Sequence, residues 1–125
     1  MIDRYYYSGI VYTAAKSKPN LGPQWCKAPD VGLPRPDLVI FLDLDIETAK
    51  SRGGFGDERY EREDLQRTVR KLFYDTIEQE EKDKNITCVV DASRSLEEVA
   101  SDVHKIAKDL FTSCKLETPL ETIEP

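Results

Sequence analysis

Several common sequence features are missing from this chain of 125 residues. No apolar run approaches the roughly 20 residues of a membrane-spanning helix, and the N-terminus does not combine a basic segment with an apolar one as signal peptides do. The three cysteines, Cys26, Cys88 and Cys114, stand too far apart for a zinc site, and their odd number indicates reduced thiols. We therefore expect a cytoplasmic protein, with a nuclear or mitochondrial pool as the alternative.

The sequence also lacks an excess of positive charge. The sequence has 18 Lys and Arg against 24 Asp and Glu, which gives a net charge of -6. Nucleic-acid interfaces need Lys and Arg clustered on one face, so we expect neither nucleic acid nor a membrane as a partner. A phosphorylated small molecule stays a candidate ligand, because a few well-placed arginines bind phosphate whatever the net charge.

What the sequence does contain is an alternation of strand-like and helical segments. Periodicity and turn residues predict strands over residues 38–42 and 86–90, a helical turn at 24–27, and helices over residues 5–18, 46–52, 61–82 and from 96 onward. This order indicates an α/β domain with a parallel sheet. We expect the domain to cover residues 1–116, followed by a flexible tail over residues 117–125.

The predicted helix starts carry capping residues. Asp43 and Asp45 precede the helix at 46–52 and can cap it. Ser95 and Glu98 have the spacing of a capping box. The helix that they open would bury one apolar stripe, which consists of Leu96, Val99, Val103, Ile106, Leu110 and Phe111.

The pair Asp3-Arg4 is the first candidate site. If residues 1 and 2 end a strand, Arg4 lies at the carboxyl end of a parallel sheet, where ligands of such sheets bind. A guanidinium fits phosphate oxygens with two parallel hydrogen bonds. Asp3 would hold Arg4 in place or face a magnesium ion through water. The alternative is an exposed ion pair at the chain terminus.

The segment RGGFGDERYE, residues 52–61, is the second candidate. Its glycines would let the segment close over a ligand as a lid, and Arg52 and Arg59 would then reach the ligand's phosphates. The phosphate-cradling motif GxxxxGK(S/T) is absent from this segment and from the rest of the sequence. The alternative is an ordinary connection between two helices.

The segment DASRS, residues 91–95, is the third candidate. It follows a predicted buried strand, so it lies at the same carboxyl edge of the sheet. Its backbone groups, including those of Ser93 and Arg94, would line a nucleotide base. The alternative is a helix cap without a ligand.

Four stretches together resemble thymidylate kinases of the eukaryotic type. They are DRYYYSGIVYTAAK, QWCKAPDVGLPRPDLVIFLDLD, AKSRGGFGDERYE and VVDASRSLEEV. The resemblance runs from Asp3 to about Phe111. It implies the parallel sheet flanked by helices of P-loop nucleoside monophosphate kinases. It also implies that a homodimer phosphorylates dTMP to dTDP with ATP and Mg²⁺, in dTTP biosynthesis.

On the dTMP side, the resemblance assigns roles by position. Arg4 would hold the phosphate of dTMP, and Asp3 would lie near the reacting phosphates and Mg²⁺. Ser8, Gly9 and Tyr12 match the helix that walls the thymidine pocket. The ring of Tyr12 would also crowd a ribose 2′-hydroxyl.

The remaining roles that the resemblance implies fall in the lid and the last loop. Arg52 is expected near the adenine of ATP and Arg59 near its phosphates. Tyr60 would lie beside the deoxyribose. Ser93 and Arg94 belong to the loop that borders the adenine.

The resemblance does not include the first part of the family's fold. The family begins with a strand and a P-loop, followed by an arginine for the dTMP phosphate and a phenylalanine that stacks on thymine, and none of these is in this sequence. We therefore expect the N-terminal half of the fold to be missing, apolar surface and sheet edges to be open, and phosphoryl transfer to be impaired. The alternatives are a non-catalytic remnant or isoform acting as a binding module, and a kinase of another nucleoside monophosphate. The run PDVGLP argues against the last.

Overall fold

The computed structural model describes residues 1–17, 21–52, 63–80, 86–114 and 119–125. These residues form helices and strands in the predicted order, and the described bounds lie within two residues of the predicted ones. The elements are α1 (Tyr6–Lys16), α2 (Pro23–Lys27), a 3-10 turn (Ala28–Asp30), β1 (Val39–Asp43), α3 (Ile46–Ser51), α4 (Glu63–Glu80), β2 (Thr87–Asp91) and α5 (Leu96–Ser113).

The two strands form a parallel sheet, which confirms the predicted α/β class. Their register runs from Val39 opposite Thr87 to Asp43 opposite Asp91. Parallel strands need a long crossover, and α3 and α4 lie in the connection between them. The backbone N–H of Ala92 donates to the carbonyl of Asp43 at 2.8 Å, just beyond the last pair. Both strands therefore end at one edge of the sheet, with two aspartates side by side.

The described sheet has these two strands alone, and part of its apolar surface meets solvent. Leu42 on β1 is 50% exposed and Val89 on β2 is 47% exposed. Open apolar surface is what the sequence predicts for a sheet with few strands.

The main core lies between α1, α2 and α4. One face of α1 is buried because its apolar residues recur at three- and four-residue steps; the buried residues are Tyr6, Tyr7, Ile10 and Val11. At the end of α4, Glu80 accepts a hydrogen bond from Lys27 at 2.8 Å and one from the Tyr6 hydroxyl at 3.4 Å. The side chains of Lys27 and Glu80 are only 12% and 16% exposed, so this ion pair closes the end of the core.

Three of the four predicted capping residues are correct. Asp45 caps α3, because its carboxylate accepts from the Thr48 N–H at 2.8 Å. Asp43 does not cap that helix; its carboxylate accepts from Arg70 and Tyr74 on α4 instead. Ser95 and Glu98 form the predicted capping box of α5.

The apolar stripe of α5 is less buried than predicted. None of its residues is buried, and Leu96 and Phe111 are each 81% exposed. The described helix touches β2, and Val90 there is 4% exposed. Within the described ranges, no helix has the length and apolar character needed to cross a membrane.

The end of the chain differs from the predicted flexible tail. The Ile123 N–H donates to the carbonyl of Leu33 at 2.9 Å, and the Gly32 N–H donates to the carbonyl of Ile123 at 3.0 Å. Thr122 also forms an antiparallel bridge with Pro34. Ile123 is 2% exposed and belongs to the main core. The burial of Ile123 and these backbone hydrogen bonds together attach the segment at 119–125 to the core.

Candidate functional site

A cleft of about 290 Å³ opens at the carboxyl end of β1, between α1, α3 and α4. Open α/β sheets bind their ligands at this edge. The side chains that line it include polar and aromatic groups from four segments, namely Arg4, Ser8, Tyr12, Phe41, Asp43, Gln66, Arg70 and Phe73.

Arg4 reaches the cleft from a strained backbone. Its φ is 63°, in the left-handed region, and among the described residues it is the one non-glycine with positive φ. This conformation costs an L-residue roughly 1–2 kcal/mol. The guanidinium carbon lies 5.4 Å from the ring centroid of Tyr12, a cation–π distance. The residue with the left-handed backbone, just before α1, is therefore also the one whose guanidinium contacts Tyr12 on that helix.

Helix α1 supplies one wall of the cleft. Ser8 and Tyr12 are four residues apart, so they lie on the same face of the helix, and both line the cleft with Arg4. Gly9 is exposed and does not line it; a Cβ at Gly9 would lie 3.8 Å from the Asp30 carboxylate. Of the three predicted pocket residues on α1, the structure brings two together with Arg4 and leaves Gly9 beside the 3-10 turn.

Four aromatic rings form what we call the aromatic row; Tyr12, Phe73 and Phe41 line the cleft, and Tyr74 extends the row from Phe41. Tyr12 meets Phe73 edge-on with centroids 6.5 Å apart, Phe73 stacks on Phe41 at 4.8 Å, and Phe41 meets Tyr74 edge-on at 5.7 Å. Stacked and edge-on pairs at these distances are attractive. The row fixes α1, β1 and α4 relative to one another, with Arg4 at its Tyr12 end.

The Tyr74 end of the row holds a charged cluster. The two carboxylate oxygens of Asp43 accept from Nε and Nη2 of Arg70 at 2.7 and 2.8 Å. One of them also accepts from the Tyr74 hydroxyl at 2.7 Å. The Arg70 hydrogen bonds are the main reason that the pKa of Asp43 lies below its ordinary value, and the same carboxylate raises the pKa of Tyr74. Asp43 is therefore ionised at neutral pH.

A second group of predicted residues meets at the end of β2. Arg52 donates to the carbonyls of Ala92 at 2.7 Å and Arg94 at 3.3 Å. The Asp91 carboxylate accepts from the Ser93 N–H at 2.8 Å, which fixes the turn. The Arg94 side chain is paired with Asp102 on α5. The structure thus brings Arg52, Ser93 and Arg94 together, at the edge of the sheet where the cleft also opens.

Two predicted site residues cannot be placed against this geometry. Arg59 and Tyr60 lie outside the described residues, as does the predicted lid at 52–61 apart from Arg52.

The described residues offer few groups for a metal ion. They include no cluster of three or more His, Cys, Asp or Glu side chains. Asp3 is exposed beside Arg4 in the sequence. A single carboxylate suits Mg²⁺, which keeps several waters and takes its other ligands from substrate phosphates. Asp3 therefore fits the predicted water-mediated contact and no all-protein metal site.

Comparison with known proteins now adds to the geometry. The sequence model of the family described as thymidylate kinase matches residues 1–103. The chain belongs to the thymidylate kinase family. It is 42% identical to thymidylate kinase of Danio rerio over 113 residues, which cover 90% of this chain and 50% of that protein. The human thymidylate kinase is 41% identical over 121 residues, which cover 96% of this chain and 54% of the relative.

A solved thymidylate kinase structure is similar as well. The enzyme from Candida albicans, described as having broad substrate specificity, superposes with a TM-score of 0.78 at 31% identity. The match covers 97% of this chain and 59% of that one. The chain thus spans about half the length of the curated thymidylate kinases that it matches. The similarity confirms the predicted family and the fold class.

Sequence reasoning missed three residues that line the cleft, Asp43, Gln66 and Arg70, and one that joins its charged cluster, Tyr74. It gives Asp43 the role of a cap and gives the other three no role. A signal was available on α4: Gln66, Arg70 and Tyr74 follow one another at four-residue steps, so they share one helix face. That face is polar and aromatic where a core-facing stripe would be aliphatic.

Proposed function

We propose that the chain binds dTMP in the cleft and forms the acceptor side of an enzyme that phosphorylates dTMP to dTDP with ATP. The observation that carries this proposal is the position of Arg4. Its backbone is in the left-handed region, and its guanidinium lies against the Tyr12 ring in the cleft. Strained non-glycine residues persist where the surrounding structure enforces them, most often at functional sites. A guanidinium there offers a planar fork for a monoester phosphate.

The cleft walls suit a pyrimidine deoxynucleotide. Ser8 offers a hydroxyl that both donates and accepts, and Tyr12 and Phe73 supply flat apolar surface. With the phosphate on Arg4, the sugar would lie close to Tyr12, whose ring would crowd a ribose 2′-hydroxyl. This is the basis on which we propose a preference for deoxynucleotides.

The transfer itself needs positioning and positive charge. A phosphate oxygen of dTMP would bond to the γ-phosphorus of ATP while the bond from that phosphorus to the bridging oxygen breaks, and ADP would leave with the electron pair. Arg52 and the loop with Ser93 and Arg94 would hold the adenine side. An arginine at the phosphates, as we propose for Arg59, is worth roughly 10³–10⁵ in rate in related chemistry.

Magnesium is the cofactor that this reaction implies. Mg²⁺, when bound, would neutralise charge on the transferred phosphates. Asp3 would hold it through water, and Arg4 would keep the acceptor phosphate in place.

From the resemblance to thymidylate kinases we also propose a cytoplasmic homodimer. Light scattering behind a sizing column would test the number of subunits.

The role of Arg4 is tested by calorimetric titration of dTMP into the purified chain. We expect Arg4→Ala to weaken dTMP binding by roughly tenfold or more, because a charge-assisted hydrogen-bonded contact is lost. Arg67→Ala is the matched control, because Arg67 is an exposed arginine paired with Glu63 and Glu47 outside the cleft. Equal affinity in the Arg4→Ala and native proteins would refute the assignment.

A binding module without catalysis is the second candidate. The observation that favours it is the absence of GxxxxGK(S/T) from the sequence. ADP release with magnesium-ATP, measured with and without dTMP, separates the two. Turnover that depends on dTMP supports the enzyme, whereas dTMP binding without turnover in this chain supports the module.

A further inference from the structure

Arg70 on α4 lies in the cleft but has no part in the proposed chemistry so far. Asp43 binds the Nε and Nη2 edge of its guanidinium, and the Arg70 guanidinium carbon lies 6.0 Å from the ring centroid of Tyr74. Tyr74 in turn donates to Asp43. The three residues form a closed set, in which the orientation of the guanidinium is fixed by a carboxylate on one edge and a ring beside it.

Among the described residues, this set uses only two of the three donor nitrogens of Arg70. A guanidinium has five N–H groups, and the hydrogen bonds of Arg70 within the described residues involve Nε and Nη2 alone. The Arg70 side chain is 44% exposed, whereas the Asp43 side chain is 16% exposed. Much of the Arg70 side chain is therefore accessible, while its partner is largely covered.

The position of these donors is the main clue. Arg70 and Arg4 both line the cleft, and they lie at opposite ends of the aromatic row. A ligand that fills the cleft along the row would meet a cation at each end. A guanidinium that is already oriented loses little rotational freedom when it donates a hydrogen bond to a ligand. Such preorganisation favours high affinity.

We propose that Arg70 donates from Nη1 to an acceptor oxygen of the nucleotide in the cleft, with Asp43 and Tyr74 as positioning residues. The inference rests on the proposed function, because it takes dTMP as the ligand and Arg4 as the residue at its phosphate. Both a phosphate oxygen and a thymine carbonyl oxygen accept hydrogen bonds from a guanidinium. Binding of thymidine, which has the base and lacks the phosphate, distinguishes these two acceptors.

The experiment is calorimetric titration of dTMP and of thymidine into the full chain and three variants. Arg70→Gln removes the charge and keeps much of the side chain, Arg67→Gln makes the same change on the same helix outside the cleft, and Arg4→Ala reports on the proposed function. We expect Arg70→Gln to weaken dTMP binding by roughly tenfold or more, and Arg67→Gln to change it by less than about twofold.

The outcomes distinguish a phosphate contact from a base contact, and they test the role of Arg70 separately from the proposed function. A loss in Arg70→Gln for dTMP alone supports a phosphate contact, and an equal loss for dTMP and thymidine supports a base contact. If Arg4→Ala loses dTMP affinity while Arg70→Gln stays within about twofold of the native chain, this inference is overturned and the proposed function stands. If the native chain binds no dTMP, both are overturned.

The positioning role of Asp43 needs its own readout. Asp43→Asn keeps the side-chain shape but removes the charge that orients Arg70. We expect it to weaken the same ligand contact that Arg70→Gln weakens, and to add little when combined with Arg70→Gln, because the two residues act as a unit. Independent, additive losses in the double variant would show that Asp43 supports the fold and does not position Arg70. Thermal unfolding of each variant confirms that the proteins compared are folded.

Discussion

The helices around the cleft and the helix that covers β2 are packed differently. Helix α1 has 11 residues and buries four of them, whereas α5 has 18 residues and buries none. The cleft side therefore has a core of its own, to which Ile123 contributes from the far end of the chain. The loop at 91–95 is instead held by hydrogen bonds from Arg52 and by the capping box. The difference indicates that the cleft is the more rigid of the two candidate ligand regions.

The largest expected effect tests this contrast with one substitution on each side. Ile10→Ala should destabilise the protein by about 2–5 kcal/mol, because Ile10 is 2% exposed and its removal leaves a cavity. Ile106→Ala, in the half-buried stripe of α5, should cost clearly less. Urea unfolding monitored by circular dichroism measures both. Similar losses would mean that α5 is packed as firmly as α1.

A smaller effect is expected from the ion pairs on the two sides. Glu80→Gln should destabilise by about 2 kcal/mol, because Glu80 accepts charged and neutral hydrogen bonds in a largely covered site. Asp102→Asn, which breaks the more exposed pair with Arg94, should cost clearly less, because exposed ion pairs are screened by solvent. The comparison is again made by urea unfolding. A larger loss in Asp102→Asn would reverse the contrast.

The smallest effect concerns Asp43, which joins the two sides through Arg70 and through the N–H of Ala92. Its pKa is lower in the folded chain than its ordinary value of 3.8. Its ionised form therefore stabilises the fold above that value, and the contribution is lost as the pH falls through the folded pKa. Since Arg70 is 44% exposed, we expect about 1 kcal/mol or less at neutral pH.

The measurement for Asp43 is the difference in unfolding free energy between the native chain and Asp43→Asn across a pH series. The difference should be constant above about pH 5 and shrink as the pH falls below the ordinary carboxyl pKa. A difference that does not change with pH would show that the charge of Asp43 contributes nothing.

Local patterns in the sequence were sufficient for the elements. The apolar steps of α1 and α4, the runs that became β1 and β2, and the capping box at Ser95 all depend on neighbours within a few residues. The carboxyl-edge rule also explains why the loop after β2 could be named as a candidate site.

Contacts between distant residues were beyond the sequence. Asp43 and Arg70 are 27 residues apart, so their ion pair depends on how α4 lies across the sheet. The burial of Ile123 depends on the loop at 32–35, nearly 90 residues earlier in the chain. The α5 stripe shows the opposite case: its middle residues are half-buried, with the helix against β2, but Leu96 and Phe111 at its two ends are each 81% exposed.

The left-handed backbone at Arg4 has a consequence for laboratory evolution. Glycine at this position would relax the backbone by roughly 1–2 kcal/mol and would remove the guanidinium at the same time. A selection for heat resistance alone would therefore enrich the glycine variant, while a selection for nucleotide binding would retain arginine. Deep mutational scanning under the two selections would separate the demands of folding from those of ligand recognition at one codon.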